Sequence, residues 1–288
     1  MTSNLKDSTI CLDNIDYLLQ RYRYFLLDQF GVLHDGSTPY PGAADAMRAV
    51  KSAGARVVII SNSGKRSAAN VERMKSLSFD DGCFDRIVSS GEVAWHLLKE
   101  KIIHQRFGAG AGCFFLSNNN DRSAVDGLNV TEVAEISAAE LILLSGQLLD
   151  AEALESLCEN LQVALRNKAP CICTNPDKVA FAEGRKLFSS GAVAEWYESQ
   201  GGEVIWLGKP YPEIYEYILK VENIFDKQEV VCIGDSVEHD IVGGSQQGLD
   251  TVLVRTGIND HLLDSELQGI FSKHGCRPSY VIPSFSRS

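Results

Sequence analysis

Residues 24–36 read YFLLDQFGVLHDG. Four apolar or aromatic residues lead into Asp28, one residue is skipped, and Phe-Gly-Val follows. Two questions arise: why a hydrophobic strand ends on an aspartate, and why Phe30 is aromatic where a second carboxylate would be useful.

Working outward, the same design recurs. ARVVIISNSG (55–64), GEVIWLGKP (202–210), EVVCIGDS (229–236) and DTVLVRTG (250–257) are apolar runs that stop abruptly at polar or glycine-rich loops. Their Val, Ile and Leu content without polar alternation predicts strands covered on both faces, as in a parallel α/β sheet. PGAADAMRAVKSAG (41–54) and KRSAANVERMKSLSF (65–79) read as crossover helices. In such sheets ligands bind in a crevice outside the carboxyl ends of the strands. Asp28, Ser61 with Asn62, Lys209 and Asp235 all stand at such ends.

The middle of the chain has the same texture but no repeat of the Asp or Lys pattern. GAGCFFLSNNN, AELILLSGQ and APCICTNPD read as strands, and AEALESLCENLQVALRN as an amphipathic helix. The expected fold is therefore α/β, a Rossmann-like doubly wound parallel-sheet core with an inserted α/β domain. The expected boundaries are 1–83 and 191–288 for the core and 84–190 for the insertion. Near the end, DHLLDSELQGIFSKHG reads as a helix and YVIPS as a final edge strand limited by Pro283.

Composition restricts the function classes. The chain has 288 residues, 44% hydrophobic and 23% charged, with a formal net charge of −11. A strong acidic balance argues against a protein that holds nucleic acid through phosphate contacts. No apolar run of about 18 residues suggests a membrane span, and the polar start lacks a signal-peptide core. The eight cysteines read as free thiols of a reducing compartment, so a cytoplasmic protein is expected.

Taken together, Asp28 in LLDQFGVL, Ser61 in IISNS, Lys209 in LGKP and the stretch GDSVEHD (234–240) form an ordered set. This set resembles the haloacid dehalogenase superfamily, and within it the class IIA phosphatases that carry a large α/β cap (C2 type) between the second and third motifs. The resemblance runs from about Tyr24 to Gly257. Phosphoryl transfer needs an in-line oxygen nucleophile and compensation for the phosphoryl charge. Asp28 suits a nucleophile that forms an aspartyl-phosphate. Two anions repel, so a cation is required between them. Mg²⁺ takes oxygen ligands, and Asp28 and Asp235 suit that need. The resemblance adds the backbone carbonyl of Phe30. Asp240 either assists the metal or orients Lys209, or is an ordinary capping carboxylate.

Ser61 offers a hydroxyl and Lys209 a point charge for the phosphoryl oxygens, as in the family. In the cap, TNPDK (174–178) resembles the family's Thr-Asn-x-Asp stretch, which makes Asn175 and Asp177 candidate substrate contacts beside Asn62. The same Asn-Pro-Asp is a turn signal. The resemblance further implies a small phosphorylated substrate and a homodimer formed through the cap.

Many family phosphatases place an acid–base aspartate two residues after the nucleophile. Phe30 can neither give nor take a proton, and general acid–base catalysis is typically worth about 10² to 10⁴ in rate. The expectation is a slow phosphatase on alkyl esters, or one using another donor or a leaving group needing little protonation. His34 and Asp35 follow closely, but a loop position alone does not specify catalysis. The other readings are a carbon-displacing hydrolase of dehalogenase type and a phosphate-binding sensor with little turnover.

Overall fold

The computed structural model describes residues 9–102, 106, 107, 109–119, 121–182 and 185–287. The chain divides into two compact units. The first is drawn from residues up to Ser61, Val71–Val88 and Tyr215 onward, the second from Asn62–Asn70 and Ser89–Ile214.

The strands before the middle segment are β1 (Ile10–Cys11), β2 (Tyr24–Leu27), β3 (Arg56–Ser61) and β4 (Arg86–Ser89). Next come β5 (Ala111–Ser117), β6 (Val130–Glu132), β7 (Leu141–Ser145), β8 (Cys171–Cys173), β9 (Val179–Ala182), β10 (Arg185–Phe188) and β11 (Val204–Trp206). The last are β12 (Val230–Gly234), β13 (Asp250–Val254) and β14 (Tyr280–Ile282).

The first unit is built on a seven-stranded sheet in the order β1-β14-β13-β12-β2-β3-β4. From β2 the chain winds outward through β3 to β4, and β12, β13 and β14 wind the other way, so the order reverses between β12 and β2. These two neighbours are parallel, with Leu27 opposite Ile233. The expectation of a doubly wound parallel core is met. Alternate side chains of a strand point to opposite faces. Phe25, Leu27, Val57, Ile59, Val231 and Ile233 join one buried cluster with Met47 and Val50 of the helix Ala43–Ser52. Leu26, Val58, Ile60 and Cys232, on the alternate positions, are also buried. Full burial of each large aliphatic side chain stabilises by about 1.5–3 kcal/mol, which is why these runs carry no polar alternation.

The second unit holds a five-stranded sheet, β11-β8-β7-β5-β6, and a two-stranded ribbon of β9 and β10. Helices Ala151–Arg166 and Ser190–Ser199 pack Leu161, Ala164, Val193 and Tyr197 against Ile142, Leu144 and Cys173. The sequence run ending at Lys209, read as a core strand, is instead β11, paired in parallel with β8. An apolar run has no label for its sheet; register and packing choose it. For the same reason the division differs from the expected 84–190, since 62–70 and 191–214 fall with this sheet. The final strand is also not an edge: β14 lies between β13 and β1, and β1 takes the border.

Among the described residues no helix is long and apolar enough to cross a membrane.

Candidate active site

Asp28 follows β2 and Asp235 follows β12, so adjacent parallel strands deliver both carboxylates to one end of the sheet. Asp240 joins them from the helical turn Val237–Ile241. Ligand oxygens of Asp28, Asp235 and Asp240 all lie within 4.8 Å of one another. Unscreened, three carboxylates this close repel strongly, and the last two are buried. A hard divalent cation removes that repulsion, and an all-oxygen donor set is the kind it takes.

The surroundings are shaped around these oxygens. Asp235 Oδ2 accepts the Ile258 amide at 3.0 Å, and its backbone carbonyl accepts from Asn259 Nδ2. Asp240 Oδ2 accepts the Ser236 amide at 3.1 Å, so this residue caps a turn and also faces the cluster. Asp28 Oδ1 accepts the Gln29 amide at 2.8 Å. Gly31 and Gly257 both have positive φ, and a Cβ on either would fall within 2.0 Å of Asp235 Oδ2. A Cβ on Gly234 would meet Asp240 Cγ at 2.0 Å. Only glycine leaves the carboxylates their room. Tyr215 is fully buried, and burial first, then its neighbours Cys232, Asp240 and Asp28, raise its phenol well above the ordinary value and keep it neutral.

Ser61 ends β3 beside β2, and its Oγ accepts from Gln29 Nε2 at 2.5 Å. Phe30 is an exposed aromatic, 43% accessible. Its ring meets His34 edge-on at 4.6 Å between centroids. The Arg73 guanidinium lies 4.7 Å from the centroid of the same ring. His34 is buried rather than a surface loop residue. Its Nδ1 accepts the Gly36 amide at 3.0 Å. Burial, then the charge of Arg73, pushes the imidazole down to about 4, so it is neutral near pH 7. Asp35 is exposed and spends Oδ1 on the amides of Ser37 and Thr38.

The second unit gathers Asn62, Asp177 and Lys209. Lys209 N donates to Asn62 Oδ1 at 2.7 Å. Asn62 Nδ2 donates to Asp177 Oδ1 at 2.8 Å and to Lys209 O at 3.1 Å. The Asn62 carboxamide thus positions the Lys209 backbone and Asp177. Lys209 is almost wholly buried. Gly208, at φ +114, lies where a Cβ would meet Asn62 Oδ1 and Pro176 Cδ at 2.8 Å. Asn175 Oδ1 accepts the Asp177 amide at 3.0 Å, the turn that Asn-Pro-Asp suggests.

Sequence reasoning missed Gln29, Gly31, Gly257, Asn259 and Arg73. Glycines three residues after Asp28 and just beyond β13 were a visible signal for the close approach. Arg73, on the helix Ser67–Ser76, carried none.

Known families and proteins match this arrangement. The family described as haloacid dehalogenase-like hydrolase matches residues 25–131, and a second, HAD-hydrolase-like, matches 206–288. The 5'-nucleotidase YutF of Bacillus subtilis is 26% identical over 251 residues, covering 85% of this chain and 93% of that protein. An acid sugar phosphatase of Staphylococcus haemolyticus is 24% identical over 260 residues, 88% of this chain and 94% of its own. Among solved structures, a haloacid dehalogenase-like hydrolase from Brucella suis superposes with a TM-score of 0.80 at 28% identity, covering 95% of this chain and 99% of that one. The named activities of these relatives agree with the expected hydrolase acting on phosphoric monoesters. With β2, β3 and β4 of the first match and β12, β13 and β14 of the second in one sheet, and acidic residues at the strand reversal, the chain belongs to the haloacid dehalogenase-like hydrolases.

Proposed function

We propose that the protein is a Mg²⁺-dependent phosphatase of a small phosphorylated metabolite, a sugar phosphate or nucleotide-like compound. The observation that carries this reading is the cluster of Asp28, Asp235 and Asp240 at the strand reversal. Asp235, Asp240, one Asp28 oxygen and the Phe30 carbonyl would hold the ion. When bound, it offsets the repulsion between the Asp28 carboxylate and the phosphoryl oxygens. Asp28 attacks phosphorus as the phosphorus–oxygen bond to the leaving group breaks, giving an aspartyl-phosphate and the released alcohol, and water then hydrolyses the aspartyl-phosphate to restore Asp28 and release inorganic phosphate. Ser61, oriented by Gln29, and Lys209 bind the phosphoryl oxygens. Asn62 positions the Lys209 loop.

In this reading the unit built on the five-stranded sheet selects the substrate as the cap, with Asn175 and Asp177 as its contacts. A homodimer through the cap and a cytoplasmic location complete the proposal. The cluster of three carboxylates weighs against a carbon-displacing hydrolase, which needs no metal site.

The test is phosphate release from a panel of phosphorylated metabolites and an acyl phosphate, with and without Mg²⁺. Metal-dependent turnover that Asp28→Asn abolishes is expected. No release from any phosphate, in wild type and Phe30→Asp alike, overturns the reading.

A further inference from the structure

In the second sheet β11, β8 and β7 are parallel neighbours, so their carboxyl ends lie side by side. Open α/β sheets bind ligands at that end. Lys209 stands three residues after β11, Asn175 two after β8 and Gln147 two after β7. A chain of contacts joins them. Lys209 N donates to Asn62 Oδ1, Asn62 Nδ2 to Asp177 Oδ1, and Asp177 N to Asn175 Oδ1. The point that a Cβ on Gly146 would occupy lies 3.5 Å from Asn175 Nδ2. Gly146 N donates to Ser190 Oγ at 2.7 Å, and Ser190 Oγ donates to Gln147 Oε1 at 2.7 Å.

One end of this chain is incomplete. Gln147 is only 5% exposed, yet among the described residues its Nε2 has no hydrogen-bond partner. Ser190 holds Oε1 and so fixes which end of the carboxamide is left over. A buried amide with both N–H groups unmet is costly, and such a group calls for a ligand or a water. We propose that Gln147 determines specificity, its Nε2 donating to a carbonyl oxygen on the alcohol portion of a phosphorylated substrate, with Asn175 Nδ2 as a second donor beside it. This rests on the phosphatase reading above and adds the class of leaving group. A carbonyl is the matched partner because Gln147 offers donors while its own acceptor is engaged by Ser190. A hydroxyl could also accept, but its proton would then need a buried acceptor. The two donors are neutral amides, which offset the desolvation of a carboxylate only in part and suit a neutral oxygen better.

The experiment measures kcat/KM with Mg²⁺ for two matched pairs of phosphates. Dihydroxyacetone phosphate against glycerol 3-phosphate sets a carbonyl against a hydroxyl, and uridine monophosphate against cytidine monophosphate sets a ring carbonyl against a ring amino group. Wild type, Gln147→Met and Gln147→Glu are compared, with circular dichroism melting as the folding control. The readout is the ratio within a pair, in which a general loss of activity cancels. Wild type prefers the carbonyl member of at least one pair by on the order of tenfold, the worth of one hydrogen bond to a neutral group. Gln147→Met keeps the volume but removes the donors, and brings that ratio to about one. Gln147→Glu keeps an acceptor for Ser190 but replaces the donors with a carboxylate oxygen, and takes the ratio below one. A folded Gln147→Met that keeps the wild-type ratio shows that Nε2 serves only an internal water, which overturns the assignment and leaves the phosphatase intact. Wild type without preference in either pair overturns it too. Wild type inactive on every phosphate removes the phosphatase reading itself, and the assignment with it.

Discussion

Gly31 lies against the Asp235 carboxylate so closely that a Cβ at residue 31 would fall 1.9 Å from Asp235 Oδ2. The glycine also holds φ +76, and Thr256 Oγ1 donates to its carbonyl at 2.5 Å. Gly31→Ala must displace Asp235 or the turn after the nucleophile. Activity is expected to fall at least about a hundredfold, since small misplacements of reacting groups cost that much. A left-handed alanine adds about 1 kcal/mol of destabilisation. Steady-state kinetics and urea unfolding check the two effects separately.

Chelation is expected to abolish phosphate release, and added Mg²⁺ to restore it. Asp235→Asn and Asp240→Asn each remove one charge from the cluster. Both shift the Mg²⁺ activation curve to higher concentration, by about tenfold or more, as changes around a metal site typically do. Isothermal titration with Mg²⁺ reads the same shift without turnover.

Phe30→Asp supplies a carboxylate at the position where the family places its acid. Turnover of alkyl phosphates is expected to rise by about tenfold or more, within the span general acid catalysis provides. Acyl phosphates, which need no protonation to leave, should gain little. Comparing kcat for the two substrate classes checks this.

Asn62→Ala leaves the Lys209 amide and Asp177 without their shared partner. A loss of about 1 kcal/mol or more in stability is expected from removing these hydrogen bonds around the buried Lys209 amide. Phosphate affinity should fall with it, because Lys209 loses its hold. Asn62→Asp keeps the acceptor for Lys209 but sets a second carboxylate against Asp177, so it does not rescue. Product inhibition by inorganic phosphate and thermal unfolding report both.

Asp85 sets an acid limb of stability. Burial alone raises its carboxyl, but hydrogen bonds from Lys51 Nζ at 2.6 Å and the Val57 amide at 2.8 Å, with the charge of Arg56, outweigh it and hold it below the ordinary value. The folded form thus binds its proton less readily than the unfolded chain. Its contribution is present above the unfolded value of about 3.9 and is lost as pH falls through the lower folded value. Urea midpoints measured from pH 7 to 3 should fall in that acid range, and Asp85→Asn should flatten the fall.

The family motifs were legible because each is local. An apolar strand followed by Asp28, Ser61 or Asp235 is written in consecutive residues. Their meeting in adjacent strands follows from parallel α/β topology. Asp240, whose sequence context left a capping role open, accepts the Ser236 amide and sets its carboxylate near those of Asp28 and Asp235. His34, whose sequence position said nothing of its surroundings, is buried with its ring against Phe30. The run before Lys209 misled, since β11 and a core strand are the same apolar string until a partner is chosen.

By itself the sequence determined the α/β class, the polar residues that end its apolar strands, and the aromatic Phe30 two residues after Asp28. These depend on side-chain period and residue chemistry, which are properties of neighbours along the chain. Only the tertiary structure decided which sheet takes β11, that Gly31 and Gly257 make room for Asp235, and that Arg73 rests on Phe30. Those relationships join residues far apart in sequence, where hydrophobic burial, close packing and strand register choose the partner.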